Sequence, residues 1–508
     1  MAIKKYTASK DTTITNAFKA NLSTRGTGSN MGASDVLEVF SIYAQSSTSS
    51  IEKSRALLQF STDDINTDRT AGTIPVSGSV KFFLKLYNAE HAFTLPRDFT
   101  LVVHAVSRSW SEGSGLDMEE YSDTGYTNWA AASSASAGET AWTTAGGDFH
   151  TGAYSAGSTL PFYSTSFSKG YEDLEIDVTA MVEEWLSAIL TQDSAVVNYG
   201  VGVFLTSSQE DGSDTQSRYT KKFFARTSEF FYKRPIIEAR WDSSEKDNAG
   251  NFYLSSSLAS ATDNLNTLYL YNYVRGQLKD IPGLQTGGVI HLQVHSASSG
   301  TTALKLPAGG NVAADADLNV TGGAIKTGVY TASFAFNSSS ITKFYPVWHS
   351  VDTGLAGGLG VHLHTGSKIT VNSFDSATSN YNPNPTYITN ITNLRSMYRR
   401  HENTRFRLYT RQKDWNPTIY TKASAEIDTS IVEDAYYRVI RVVDDFEIIP
   451  FGTGSSLPYT RMSYDLSGSY FDLDMAMLEA GYAYGVKLAY YINGAYHEQP
   501  EVFKFRVE

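Results

Sequence analysis

Cysteine is absent from all 508 residues. Disulfides, thiolate nucleophiles and cysteine-ligated metals are therefore excluded, and folding in a reducing cytosol meets no obstacle. Charge is scarce, at 19% of residues, against about 25% in an average globular chain. The charge present leans acidic, with a net of -12. Nucleic-acid binding relies on Lys and Arg neutralising phosphates, so a nucleic-acid partner is not expected. No run of about 18 apolar residues occurs, and membrane insertion is not expected either. The opening MAIKKYTASKD holds no apolar stretch of the signal-peptide kind. Gly-x-Ser-x-Gly, Walker and dinucleotide-binding motifs are missing from any strand-to-helix context.

What fills the chain is Ser, Thr, Asn and Gly, together with 13% aromatics, including 32 Tyr and 26 Phe. That aromatic load separates it from disordered polar sequences. The composition looks extracellular while no export signal is visible. A protein made in a host cytoplasm and released by lysis, as virion proteins are, would reconcile the two, as would an unusual secretion route.

Short apolar runs broken by turn clusters predict an all-β protein of three units. Residues 1–243 carry strand candidates DVLEVFSIY, RALLQF, VKFFLKLYN, FTLVVHAV, YGVGVFLTS and RPIIEARW, the pattern of a jelly-roll sandwich. One segment breaks it. In DVTAMVEEWLSAILTQ, residues Met181, Val182, Trp185, Leu186, Ile189 and Leu190 fall at helical spacing and predict one packed amphipathic helix. Asp177 or Thr179 can accept from its first free N–H groups. Residues 250–384 and 388–508 read as two Ig-like β-sandwiches, after a linker at 241–251. Leu478, Gly481 and Tyr484 match the Leu-x-x-Gly-x-x-Tyr corner of such sandwiches, with a looser echo at Gly328 and Tyr330.

Asp11, Asn30-Met31-Gly32, Leu37-x-Val39 and Arg55-x-Leu57-Leu58-x-Phe60 occur in that order. Phe82, Leu84 and Leu86, Trp110-Ser111-Glu112, Asp177-Val178-Thr179 with Val182 and Trp185, Gly200 to Leu205 and Arg234-Pro235 follow. Together they resemble a DNRLRE-type domain, a jelly-roll module of surface and carbohydrate-associated proteins. Here Thr127-Asn128-Trp129 and Thr140-Ala141-Trp142 both compete for the place of that family's single Thr-Trp. The stretches TRFRLYTRQKDWNP, YYRVIRVVDDFEIIPFGTG and YFDLDMAMLEAGYAYGVK resemble C-terminal modules of structural proteins from marine contractile-tailed phages. That resemblance implies a virion component of the neck, tail or baseplate, with other virion proteins and further copies of itself as partners in a symmetric particle. No catalytic residue, cofactor or metal is assigned.

Two sets of residues carry the candidate contacts. Arg395, Arg399 and Arg400 precede a predicted strand on which Arg405, Arg407, Tyr409 and Arg411 share one face. A guanidinium row suits docking on an acidic subunit, since Arg binds carboxylates through two parallel hydrogen bonds. It equally suits pairing with acids on adjacent strands. The insert between Trp110 and His150 holds three Trp. Its indoles are expected to anchor it, while Tyr126, Trp129 and Trp142, if exposed, could stack on a host surface glycan. Other groups read as ordinary surface chemistry. His291 with His295, and His362 with His364, share sheet faces and are taken as polar face residues rather than metal ligands. The Asp211–Asp214 loop is taken as a solvated turn rather than a calcium site.

Overall fold

The computed structural model describes residues 2–91, 94–116, 120–135, 138–150, 160–191, 197–284, 287–299, 303–304, 314–315, 319–351, 359–373, 385–414, 429–453 and 457–508. The chain is all-β, with short helices, and divides into two compact units, residues 2–242 with 454–459, and residues 243–453 with 460–508.

The first unit holds two antiparallel sheets and a small hairpin. The smaller sheet runs Ile3–Thr7, Ile236–Arg240, Lys81–Leu86, Leu174–Asp177. The larger runs Arg218–Phe224, Val36–Tyr43, Ile51–Gln59, Val201–Leu205, Phe99–Ala105, Tyr163–Phe167, with Lys10–Thr15 also pairing with Ile51–Gln59. Phe82, Leu84 and Leu86 alternate inward at period two and are buried. Helix Thr179–Thr191 packs on that strand through Met181, Val182, Trp185 and Leu186. Asp177 accepts from the Thr179 amide at 3.0 Å. The inward stripe is completed by Ala188, while Leu190 is 76% exposed, a correction to the predicted face. A second helix, Thr62–Thr70, is not visible in the hydrophobic pattern because the buried Ile65 is its one apolar residue. It rests on capping instead. Ser61 accepts from the Asp64 amide, and Arg69 grips Glu183 of the longer helix through two bonds of 2.8 and 2.7 Å.

The opening loop proves to be a backbone clamp. Asn30 is buried and donates to the carbonyls of Glu112 and Thr127, both at 2.8 Å, while its own oxygen accepts from Gly32 and Gly115. A Cβ on Gly32 would fall on the Glu112 carbonyl, so only glycine fits between these two loops.

In the second unit, residues 252–372 form one curled nine-stranded sheet around Phe252, Phe334, Phe336, Phe344, Trp348 and Leu292. Its end strands, Phe252–Tyr253 and Leu265–Tyr271, are clasped by the Asn266 side-chain amide, which bonds both backbone groups of Tyr253 at 2.9 and 2.8 Å. Residues 387–507 form a sandwich of two sheets. One runs Tyr387–Ile391, Asn403–Gln412, Gly468–Asp474, Ser463–Asp465. The other is built on Met397–Tyr398, Phe503–Val507, Ala483–Ile492, Ala435–Arg441 and Phe446–Ile449, with Ala495–Glu498 also pairing with Ala483–Ile492. Aromatic rings fill the space between them, with Tyr437 stacked on Phe471 at 4.1 Å and Phe406 against Phe505 at 5.8 Å. The tyrosine corner is present. Tyr484 donates its hydroxyl to the Glu479 carbonyl at 2.5 Å, beside buried Leu478. Tyr330 plays a similar part, accepting from the Ile281 amide and donating to the Leu284 carbonyl.

Candidate functional site

Strand Asn403–Gln412 alternates as its sequence requires, with Phe406, Leu408 and Thr410 buried and Arg405, Arg407, Tyr409 and Arg411 on the other face. The register then decides what the guanidiniums do. Arg405 lies directly opposite Asp472 and binds it through Nε and Nη2 at 2.8 and 3.0 Å. Arg407 lies opposite Tyr470 and reaches Asp465 through two bonds of 3.0 and 2.9 Å. The Tyr470 ring sits between them, 4.3 Å from the Arg405 guanidinium and 5.1 Å from that of Arg407. Its hydroxyl donates to Glu245 at 2.8 Å, and Glu245 is also ion-paired with Lys326.

The electrostatics follow from these contacts. Burial opposes ionisation of Asp472, yet the Arg405 bonds and charge hold its carboxyl below the usual range. The bonds from Asp472 and Asp465 make Arg405 and Arg407 still harder to deprotonate. Burial first, then Glu245, pushes the Tyr470 phenol up, so it stays a neutral donor. The result is a continuous chain of contacts, Lys326 to Glu245 to Tyr470 to the two arginines. It joins the nine-stranded sheet, the segment after residue 243 and the last sandwich.

The expectation of a free arginine docking row is therefore corrected for three of its six members. Arg405 and Arg407 are consumed by acids of their own sheet. Arg395 pairs with Glu402 and lies 4.3 Å from the Tyr398 ring. Arg399 and Arg400 are exposed on the preceding turn, away from the row, and Arg411 reaches the Gln412 carbonyl at 3.4 Å. The acid partners of Arg405 and Arg407 lie 67 and 58 residues downstream, and only the register reveals them.

The glycan-stacking expectation is corrected as well. Trp129 and Trp142 are buried with Trp110, Ile14, Leu57, Val106 and Ala132 in a separate core beneath the insert. Trp142 donates to the Asn128 carbonyl at 2.9 Å, and Trp110 to that of Tyr199 at 2.8 Å. Indoles closed in this way have no face to offer a sugar. Tyr126 alone of the three is exposed. Beside this core lies an open cleft of about 480 Å³ lined by Ser107, Arg108, Thr143, Thr144, Gly147, Asp148 and Phe149. Its acid is already committed, since Asp148 accepts from the Thr143 and Thr144 amides at 2.9 Å each and faces Arg108 at 3.5 Å. Burial opposes its ionisation, but those amide bonds outweigh it and hold the carboxyl below its ordinary value.

Residues singled out from the opening motif do converge. Asp11 accepts from the Arg226 amide at 2.6 Å, its own amide donates to Glu112 at 2.8 Å, and Glu112 grips the Arg226 guanidinium. Burial, with Glu112 nearby, pushes the Asp11 carboxyl up to about 7, against the Arg226 contacts. Arg226 carries no sequence signal for this part. Nor does Lys221, one of two adjacent lysines, which is 1% exposed and donates to Asn88, Gly170 and Glu172 at 2.5, 2.8 and 2.8 Å.

The histidines regroup across strands. His291 and His295 are buried on the face of Val289–His295 opposite the core, and His362 and His364 are exposed on Leu359–Thr365. His349 lies between the two strands, paired with His291 on one side and His362 on the other. Among the described residues no group of three or more His, Asp or Glu side chains is arranged to hold a metal ion. In the Asp211–Asp214 turn, Asp214 pairs with Arg218 at 2.7 Å and Asp211 accepts from the Ser213 amide.

No protein-family model matches the chain, and no curated protein does. Among solved structures it is similar to fibronectin(III)-like modules of CbhA from Clostridium thermocellum, at 9% identity and a TM-score of 0.14, covering 53% of this chain and 92% of that one. The tandem Ig repeats of Dlar match at 10% identity and a TM-score of 0.13, over 44% of this chain and 92% of that one. Trypsin-activated alpha-2-macroglobulin from Escherichia coli matches at 8% identity and a TM-score of 0.15, over 89% of this chain and 24% of that one. Likeness this low carries no argument about function, and the fold rests on the strands and registers themselves.

Proposed function

We propose that this chain is a non-enzymatic structural protein of a phage particle, a neck, tail or baseplate component that works through shape and protein–protein contacts. The observation that carries the reading is the network from Lys326 through Glu245 and Tyr470 to Arg405 and Arg407, which uses paired charges to fix two β modules together. β modules joined by such fixed contacts suit mechanical attachment. Its contacts would come from open edges. Strand Ala495–Glu498 is exposed at all four residues, and the Tyr491 and Tyr496 rings flank the hairpin tip 4.8 Å apart. Partners would be other virion proteins and symmetry-related copies, after assembly in the host cytoplasm and release by lysis. The test is mass spectrometry and cryo-EM of purified particles. Symmetry-related copies in the particle support the reading, and a chain that stays in the soluble lysate overturns it. A host-glycan role would rest on Tyr126 and the cleft beside Asp148. A glycan-array signal lost in Tyr126→Ala would favour it.

A further inference from the structure

We propose that the histidine row of the nine-stranded sheet is an acid-sensitive latch on an edge strand. His291, His349 and His362 occupy directly opposed positions on three neighbouring antiparallel strands. Opposed residues of such strands stand about 4.5–5.5 Å apart at Cβ. The His349 and His362 rings meet edge to face, with centroids 5.5 Å apart. His349 is half-buried, and neither of its ring nitrogens has a well-formed hydrogen bond.

The groups facing His349 can be named element by element. Strand Val289–His295 presents His291 and His295, the latter bonded to Gln293 at 3.1 Å. Strand Leu359–Thr365 presents His362, bonded to Thr365 at 2.9 Å, and the Gly360 backbone, which favours the cation. Strand Asn319–Lys326 lies beyond, with Thr321 opposite His291 and Asn319 bonded to Gln293, neither of them titratable. Among the described residues the titratable groups acting on His349 are thus other imidazoles, and a proton on His349 meets like charge from them.

The fold supplies something to move. Among the described residues Leu359–Thr365 pairs only with Lys343–Val351, and that pairing is irregular on both sides of His349, between Trp348 and His349 and again between His349 and Val351. An edge strand with a broken ladder at the sensing residue is held by few bonds. Burial, then His362, lowers the His349 proton affinity below the ordinary 6.5. The opened strand therefore binds protons that the closed one refuses, and the closed state loses stability as pH falls through about 6.5.

Amide hydrogen exchange of the whole chain, normalised to unstructured peptides at each pH, tests this. Between pH 7.5 and 5.5 the protection of peptides covering 359–365 and 345–351 is expected to fall about tenfold for each proton taken up per pH unit. His349→Gln and, separately, the exposed His362→Gln should each remove most of that fall. Unchanged protection in the wild type, or a fall that survives in both variants, overturns the proposal.

Discussion

Lys221→Met tests how a buried charge is held in the first unit. Nζ donates to two carbonyls and one amide oxygen, and lies 5.3 and 4.9 Å from the centres of the Phe167 and Phe223 rings. Methionine matches the apolar stem but leaves three acceptors without a donor, at about 1–3 kcal/mol for each one left dry. Removing the ammonium also relieves its desolvation, so the net loss at pH 7 should be about 2–3 kcal/mol. The pH dependence discriminates further. Burial, partly opposed by Asp173 and Glu172, lowers the Lys221 value from 10.5 to about 8. Between pH 8 and 10.5 the unfolded chain keeps a proton that the folded chain has released, so this group's contribution to stability rises with pH across that window. The shift corresponds to about 3 kcal/mol. Urea unfolding followed by Trp fluorescence reports mainly this unit, which holds five of the seven Trp. Ionising tyrosines act on both proteins alike, so the wild type minus variant difference isolates Lys221. It should widen by about 2.5 kcal/mol from pH 7 to 10. A constant difference would mean that the carbonyl cage outweighs burial, and the reasoning fails.

Three other outcomes are expected. Asp11 titrates near 7 in the folded chain and near 3.8 when unfolded, so its contribution to stability is lost as pH rises between those values; Asp11→Asn should flatten that segment of the stability profile, measured by urea midpoints from pH 4 to 8. Trp142→Ala opens a cavity in the core under the insert and should cost about 3–5 kcal/mol in thermal or urea melts, with any glycan binding retained by the molecules that remain folded. Arg407→Glu places a carboxylate against Asp465 and beside Tyr470; because the pair is partly exposed, a loss of about 1–2 kcal/mol is expected, read as a lower melting midpoint of the second unit rather than a pure assembly defect.

Much of the fold is legible because burial writes itself as periodicity. The alternation in TRFRLYTRQ and the 3.6-residue stripe through Trp185 predict a strand and a helix, and both are found. The tyrosine corner is legible because a phenol, a glycine and a leucine at fixed spacing make one hydrogen bond at one turn. Helix Thr62–Thr70 is not, since polar capping and a distant Glu183 hold it rather than an apolar stripe. The sites were harder to read for a related reason. An arginine's partner depends on register, and Asp465 and Asp472 become its neighbours only once two distant strands align. Likewise Lys221 and Lys222 look the same in sequence, and an irregularity between Arg218 and Lys221 accompanies the inward turn of one of them. The indoles could anchor or display, and the packing around Ala132 and Leu57 decides for anchoring.

The distribution of charge bears on what such a molecule can do. Glu238 is fully buried, bonded to Arg240 at 2.6 Å and facing Lys5 and Lys85 at 3.7 Å each. Burial opposes its ionisation, yet Lys5, Lys85 and Arg240 keep it charged. Buried ion pairs of this kind return little net stability over apolar residues of equal size. Their effect is selective, because breaking one partner leaves an uncompensated charge, and misaligned pairings of the strand are penalised. The same logic holds for Arg405 with Asp472 and Arg407 with Asp465, where a slip of one residue would turn each guanidinium to the opposite face. Charge used in this way fixes register, and through Glu245 it also fixes the junction between modules. A chain that spends its few charges on alignment gains stiffness and a single geometry. For the repeated part of an assembly proposed above, those properties would leave contacts to exposed edges and rings such as Tyr491 and Tyr496.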